Sequence, residues 1–151
     1  MRRAICLFVL LALLVFVPTA TAIDDPYRPL LDAMYRWESV NGTELVGDGG
    51  KSLGPYHIQW RFWADGIEQL RREGFPEIAD ALSDYKVNVY DKWASEVIMK
   101  AVWRRYEPTG YRTVNFEVCA RLHNGSREWR EKPATEVYWG HIRGIMGGAK
   151  P

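Results

Sequence analysis

Glycines at positions 42, 47, 49, 50 and 54 and a proline at 55 crowd into one stretch, NGTELVGDGGKSLGP, from Asn41 to Pro55. No helix crosses such a segment, because each interior glycine costs about 1 kcal/mol relative to alanine and a proline about 3 kcal/mol. Upstream, Leu30, Leu31, Met34 and Trp37 recur at the spacing of a one-sided helix, with Glu38 at its end. Asn41 and Gly42 stop that helix, since both tolerate the left-handed backbone of a C-terminus. Within the stretch, the apolar pair Leu45-Val46, the Asp48-Gly49-Gly50 turn signal and the return Lys51-Ser52-Leu53 read as a small hairpin that carries Asp48 back toward Glu38. Gly54-Pro55 is expected to restart the chain as a helix.

The rest of the chain reads as helices. Tyr56 to about Gly74 is helical, with Gly66 as a candidate break and Trp60, Phe62 and Trp63 in its first turns. Pro76 opens a short helix with Ile78, Ala81 and Leu82 turned inward. After Asp91, Ala94, Val97, Ile98, Ala101, Val102 and Arg105 keep helical register until Glu107-Pro108. Thr109 to Thr113 reads as a loop, Asn115 as the N-cap of a helix that stops at His123-Asn124-Gly125, and Ser126 to Lys132 as a solvated charged loop. A last helix begins at Pro133, faces inward through Tyr138, Ile142, Ile145 and Met146, and ends at Gly147-Gly148.

The N-terminus has a different character. A basic start, an apolar run from Ala4 to Val17 and the Ala20-Thr21-Ala22 signature describe a secretory signal peptide over residues 1–22, too short to span a bilayer. One domain over residues 23–151 follows, secreted or periplasmic, with no stable membrane insertion. Arg2 and Arg3 leave with the leader, so the 20 basic residues fall to 18 against 19 acidic ones. That balance argues against a nucleic-acid partner. Cys6 also leaves, and Cys119 alone cannot form an internal disulfide. The expected fold is therefore mainly α, a helical domain with a small β-hairpin beside a cleft, held by packing in which the seven tryptophans take part. Cys119 reads as a small buried hydrophobe, and the chain as a monomer.

Glu38 and Asp48 are the candidate chemical pair. Cleavage of a glycosidic bond needs one carboxyl group that donates a proton to the leaving oxygen and a charged one that acts as nucleophile or activates water. Glu38, among Met34, Tyr35 and Trp37, suits the first task, and Asp48, in a polar loop, the second. His57, His123 and His141 show no metal-ligand spacing, and no glycine-rich phosphate loop follows a strand, so neither metal nor cofactor is expected.

Glu38-Ser39, the Gly47-Asp48-Gly49-Gly50 loop and Ser52-x-Gly54-Pro55-Tyr56-x-Ile58 together resemble the core of the invertebrate-type lysozymes, the destabilase family. Trp103-Arg104-Arg105-Tyr106, Ala120 to Gly125 and Ala134 to Trp139 resemble that family's later helices in the same order, so the likeness spans most of the chain after the leader. The Glu-Ser pattern is also similar to the lytic transglycosylases of the wider lysozyme superfamily. The resemblance implies an α+β lysozyme-like fold and a muramidase that cuts β-1,4 bonds of peptidoglycan, or a chitin-like glycan. It implies Glu38 as general acid, Asp48 as second carboxylate, and Ser52, Tyr56, His57, His123 and Asn124 as groove residues. Three features depart from the family: the missing disulfides, the lack of strong positive charge, and His57 where glutamine is usual. Two alternatives accompany the muramidase reading, a transglycosylase that uses Glu38 alone and a protein that binds glycan without cutting it. The isopeptidase activity of some destabilases is not carried over, because Gln59 stands where its lysine would be.

Overall fold

The computed structural model describes residues 24–148, and the signal-peptide expectation lies outside them. The chain is mainly helical with one small antiparallel sheet, and Cys119, fully buried, is unpaired. Helix α1 (Arg28–Ser39) leads into β1 (Val46–Gly47), a 3-10 turn (Asp48–Gly50) and β2 (Ser52–Leu53). β3 (Ile58–Gln59), α2 (Trp60–Arg72), α3 (Pro76–Ala81) and α4 (Tyr85–Asn88) follow. The chain then runs through α5 (Lys92–Tyr106), α6 (Pro108–Arg112), α7 (Phe116–Gly125), a second 3-10 segment (Ser126–Glu131) and α8 (Ala134–Met146). Among the described residues no helix is long and apolar enough to cross a membrane.

α5 is the centre of the molecule. Ala94, Ser95, Glu96, Ile98, Met99, Ala101, Val102 and Trp103 are all buried, so its contacts extend well beyond a single stripe. The Asp91 side chain caps its first turn at Ala94 N, 2.7 Å away. α2 lies on α5 without a break at Gly66, where a Cβ would come within 2.7 Å of Ile98 Cγ2. Leu30, Leu31 and Met34 of α1, Leu122 of α7 and Ile142 of α8 complete the core. Glu96 is a buried carboxylate, 7% exposed, and Arg28 meets it with two hydrogen bonds of 2.8 and 2.6 Å.

The sheet corrects the expectation of a single hairpin. Its order is β1-β2-β3, with Val46 opposite Leu53 and Ser52 opposite Gln59. Gly54-Pro55 therefore begins a turn into β3, and α2 starts only at Trp60. The third strand is fixed from outside, by the Tyr85 hydroxyl donating to the Ile58 carbonyl at 2.7 Å. Three other local expectations change. Ala79 and Leu82 face inward from α3 while Ile78 and Ala81 are exposed, residues 108–112 form a helix, and residues 126–131 form a 3-10 segment that buries Trp129. Trp129 is held there by its indole N–H, 3.0 Å from Glu107 Oε1, and by the guanidinium groups of Arg121 and Arg130 over its ring.

Candidate active site

Glu38 occupies the last turn of α1, and Ser39 shapes the exit from that turn. The fully buried Ser39 hydroxyl donates to the Tyr35 carbonyl at 2.9 Å and accepts from Gly42 N at 3.0 Å, while its carbonyl takes Thr43 N and Glu44 N, each at 2.9 Å. Val40, Asn41 and Gly42 all have positive φ, so the chain reverses immediately after the helix. Trp37 stacks on His141 with ring centroids 4.2 Å apart, pinning this end of α1 to α8.

The Glu38 carboxylate meets two imidazoles from opposite parts of the fold. His57 Nδ1 lies 3.5 Å from Oε2, and His123 Nε2 lies 3.8 Å from Oε1. Its side chain is 14% exposed. The buried Tyr138 hydroxyl of α8 also faces Glu38, but stops short of a closed hydrogen bond. Tyr138 reads in the sequence as a core residue. Its helical periodicity places it inward correctly and carries no signal of what its hydroxyl meets.

The two imidazoles differ in their electrostatics. The Glu38 carboxylate raises the pKa of His57 above the usual histidine value, with support from the Glu44 carbonyl and the charge of Asp48 and against the opposing effect of burial. His57 Nε2 donates to that carbonyl at 3.0 Å, which leaves Nδ1 toward Glu38. His123 is pushed the other way by burial. Its Nε2 has a carbonyl acceptor in Tyr56 at 2.9 Å, which fixes the proton on Nε2, and its Nδ1 is buried with no hydrogen-bond partner.

Glu38, Asp48, Ser52, His57, His123 and Asn124 line one cleft of about 710 Å³. Tyr56, the remaining residue of the sequence-derived set, does not. Its ring is fully buried, its hydroxyl donates to Glu96 Oε1 at 2.7 Å, and its backbone carbonyl is what serves the site, as the acceptor for His123. The reason is the third strand: with residues 54–57 in a turn, Tyr56 points into the core and His57 out of it. Asp48 is exposed, sits at φ 50°, and accepts from the Ser52 hydroxyl at 3.2 Å. Gly47 makes room for both neighbours, since a Cβ there would lie 2.7 Å from His57 Nδ1 and 2.7 Å from Ser52 Oγ.

Beyond the carboxylates the cleft runs along the first turns of α2 and the end of α7. Trp60, 55% exposed, and Arg61 line it from α2, and Arg127 and Lys132 from the segment after α7. Arg127 is paired with Asp65 at 3.0 Å and Lys132 with Glu128 at 3.5 Å. Among the described residues no group of three or more His, Cys, Asp or Glu side chains could hold a metal ion. A nearly enclosed carboxylate flanked by imidazoles and a second carboxylate on a hairpin thus share one cleft. No protein-family model, curated protein or solved structure matches the chain.

Proposed function

We propose that the protein is a secreted, lysozyme-like glycoside hydrolase that cleaves β-1,4 bonds between N-acetylmuramic acid and N-acetylglucosamine. Glu38 is the general acid and Asp48 the second carboxylate. The observation that carries this reading is the placement of Glu38, nearly enclosed at the end of α1 yet opening with Asp48 onto a trough of about 710 Å³. Ser52 orients Asp48 through its hydroxyl, and His123 and Asn124 present polar groups from the end of α7. Trp60 offers an exposed aromatic face on which the C–H side of a sugar ring packs.

The reaction needs a proton on the glycosidic oxygen as its bond to the anomeric carbon breaks, and water as final acceptor. Clearing of a peptidoglycan suspension tests it. Wild type is expected to lyse the suspension, Glu38→Gln to lose at least about a hundredfold because the amide keeps the shape without the transferable proton, and Asp48→Asn to be impaired. Unimpaired lysis by Glu38→Gln removes the assignment. Binding to insoluble peptidoglycan without release of reducing ends by wild type, at any pH from acid to neutral, replaces it with a glycan-binding role.

A second reading, a lytic transglycosylase that uses Glu38 alone, is favoured by one observation. His57 and His123 both address the Glu38 carboxylate, and neither contact involves Asp48. Anhydro-muramyl product ends together with full activity of Asp48→Asn select this reading.

A further inference from the structure

We infer that His57 and Glu38 form a one-proton dyad, in which His57 Nδ1 stores the proton that Glu38 Oε2 delivers to the departing sugar oxygen. The inference rests on the glycosidase reading of Glu38 and adds a positioning residue to it. Three geometric facts carry it. His57 Nδ1 is 3.5 Å from Glu38 Oε2. The other ring nitrogen is committed, because Nε2 donates to the Glu44 carbonyl at 3.0 Å and keeps its hydrogen whether or not the ring is charged. The ring is also held by its surroundings: His57 has a positive φ of 45°, and the imidazole closes over Gly47, where no Cβ could be accommodated without moving it.

Such an arrangement holds one proton in two interchangeable forms. In one, an imidazolium faces a carboxylate. In the other, the proton has moved from Nδ1 to Oε2, leaving a neutral imidazole whose lone pair faces a carboxylic acid. The second form is the reactive one. Oε2 gives its proton to the glycosidic oxygen, the carbon–oxygen bond breaks, and its electron pair stays on that oxygen, which leaves as a hydroxyl. The incoming water bonds to the anomeric carbon and its released proton returns to the dyad, so protons and electrons balance over a turnover. With His57 neutral and Glu38 ionised the store is empty.

The groups facing the His57 ring from the elements around it are few. Glu38 approaches from α1, the Glu44 carbonyl from the segment before β1, Asp48 from the 3-10 turn and His123 from the end of α7. The two carboxylates and the carbonyl favour a proton on His57, in line with the direction of its shift. His123 is pushed toward its neutral form by burial and adds little opposing charge. The dyad therefore keeps its proton to a higher pH than a free imidazole would.

Two measurements decide the matter. In the lysis assay, His57→Gln is expected to move the alkaline limb of the pH–rate profile of wild type acidward by about one unit or more, with a smaller loss at the acid optimum. A profile superimposable on wild type overturns the dyad while leaving Glu38 as the acid. Independently of activity, NMR titration of the His57 imidazole should show its midpoint lower in Glu38→Gln than in wild type by about one unit. An unchanged midpoint overturns the dyad even if no glycan is ever cleaved, and its fall supports it in the same circumstance. Amide spectra of both variants establish that they are folded.

Discussion

Gly47 shows how a single hydrogen atom in place of a methyl group sets the site. Its backbone is extended, φ −114° and ψ 171°, which any residue adopts, so the requirement for glycine is spatial rather than conformational. A methyl group would collide with His57 Nδ1 and Ser52 Oγ, the two atoms that address Glu38 and Asp48. Displacement of catalytic groups by about 1 Å costs about a hundredfold in rate. Gly47→Ala is accordingly expected to lose about that factor in lysis while its thermal midpoint moves little, and a near-wild-type rate would show that the imidazole has room to yield. The identity of Glu38 as a residue of interest was legible in the sequence from its place at a helix end before a turn. That His57, His123 and Tyr138 meet its carboxylate was not: they stand 19, 85 and 100 positions downstream, the resemblance implies the first two only as groove residues, and no local pattern reports where such side chains meet. Tyr56 and His57 are adjacent, and which of them enters the cleft depends on the turn that joins β2 to β3.

At the scale of elements, the small sheet is the part that sequence periodicity describes least well. Two-residue strands carry too little alternation to register, so the hairpin was legible through its turn residues and β3 was not. The strands are held by what packs on them. Gly54, at φ 77°, brings the β2–β3 turn against the Val89 carbonyl so closely that any side chain would overlap backbone. Gly54→Ala combines left-handed strain with that overlap and should destabilise by about 3 kcal/mol. Urea denaturation reads the loss directly, and a change below about 1 kcal/mol would mean that the turn can lift off residue 89 at little cost. Two of the helices, α5 and α7, were more legible because a side chain caps each of them. Asp91 and Asn115 each accept a backbone N–H at the start of α5 and α7. The short pieces at 108–112 and 126–131 read as loops, since their order comes from side chains elsewhere, such as Glu107 holding the Trp129 indole.

For the whole molecule, the buried Glu96 joins three parts of the chain: α1 through Arg28, the β2–β3 turn through Tyr56, and α5 itself. Burial acts to raise its pKa, but the hydrogen bonds from Arg28 and Tyr56 outweigh that and lower it below 4.5. A lowered carboxylate contributes stability that is complete above its unfolded value and is lost as pH falls through the folded one. Asp25 and Glu73 are shifted in the same direction by Lys100 and Arg104, against the opposing effect of their own burial. The protein should therefore lose stability on acidification below about pH 4.5. Near neutrality the histidines oppose each other. His57, raised, stabilises at low pH and loses that contribution as pH rises through its folded value, while His123, lowered, withdraws stability as pH falls below 6.5. Glu96→Gln should cost about 2 kcal/mol at pH 7, less than the 3–5 kcal/mol of a fully buried pair because Arg28 is partly exposed. It should also flatten the acid limb. Denaturation midpoints from pH 3 to 7 for both proteins test this, and parallel curves would assign the acid loss to other groups.

By itself the sequence determined the course of the longer helices, that a turn-rich segment interrupts them, and that Glu38 and Asp48 flank a chain reversal, because caps, glycines and apolar spacing act over a few residues. Only the tertiary structure decided that His57 and His123 close on the two oxygens of Glu38, that Tyr138 faces the same carboxylate, and that Tyr56 turns inward to Glu96. Those placements follow from α7, α8 and the small sheet packing around α5 and α1. Burial and long-range hydrogen bonds, not local propensity, fix which side chains share a cleft.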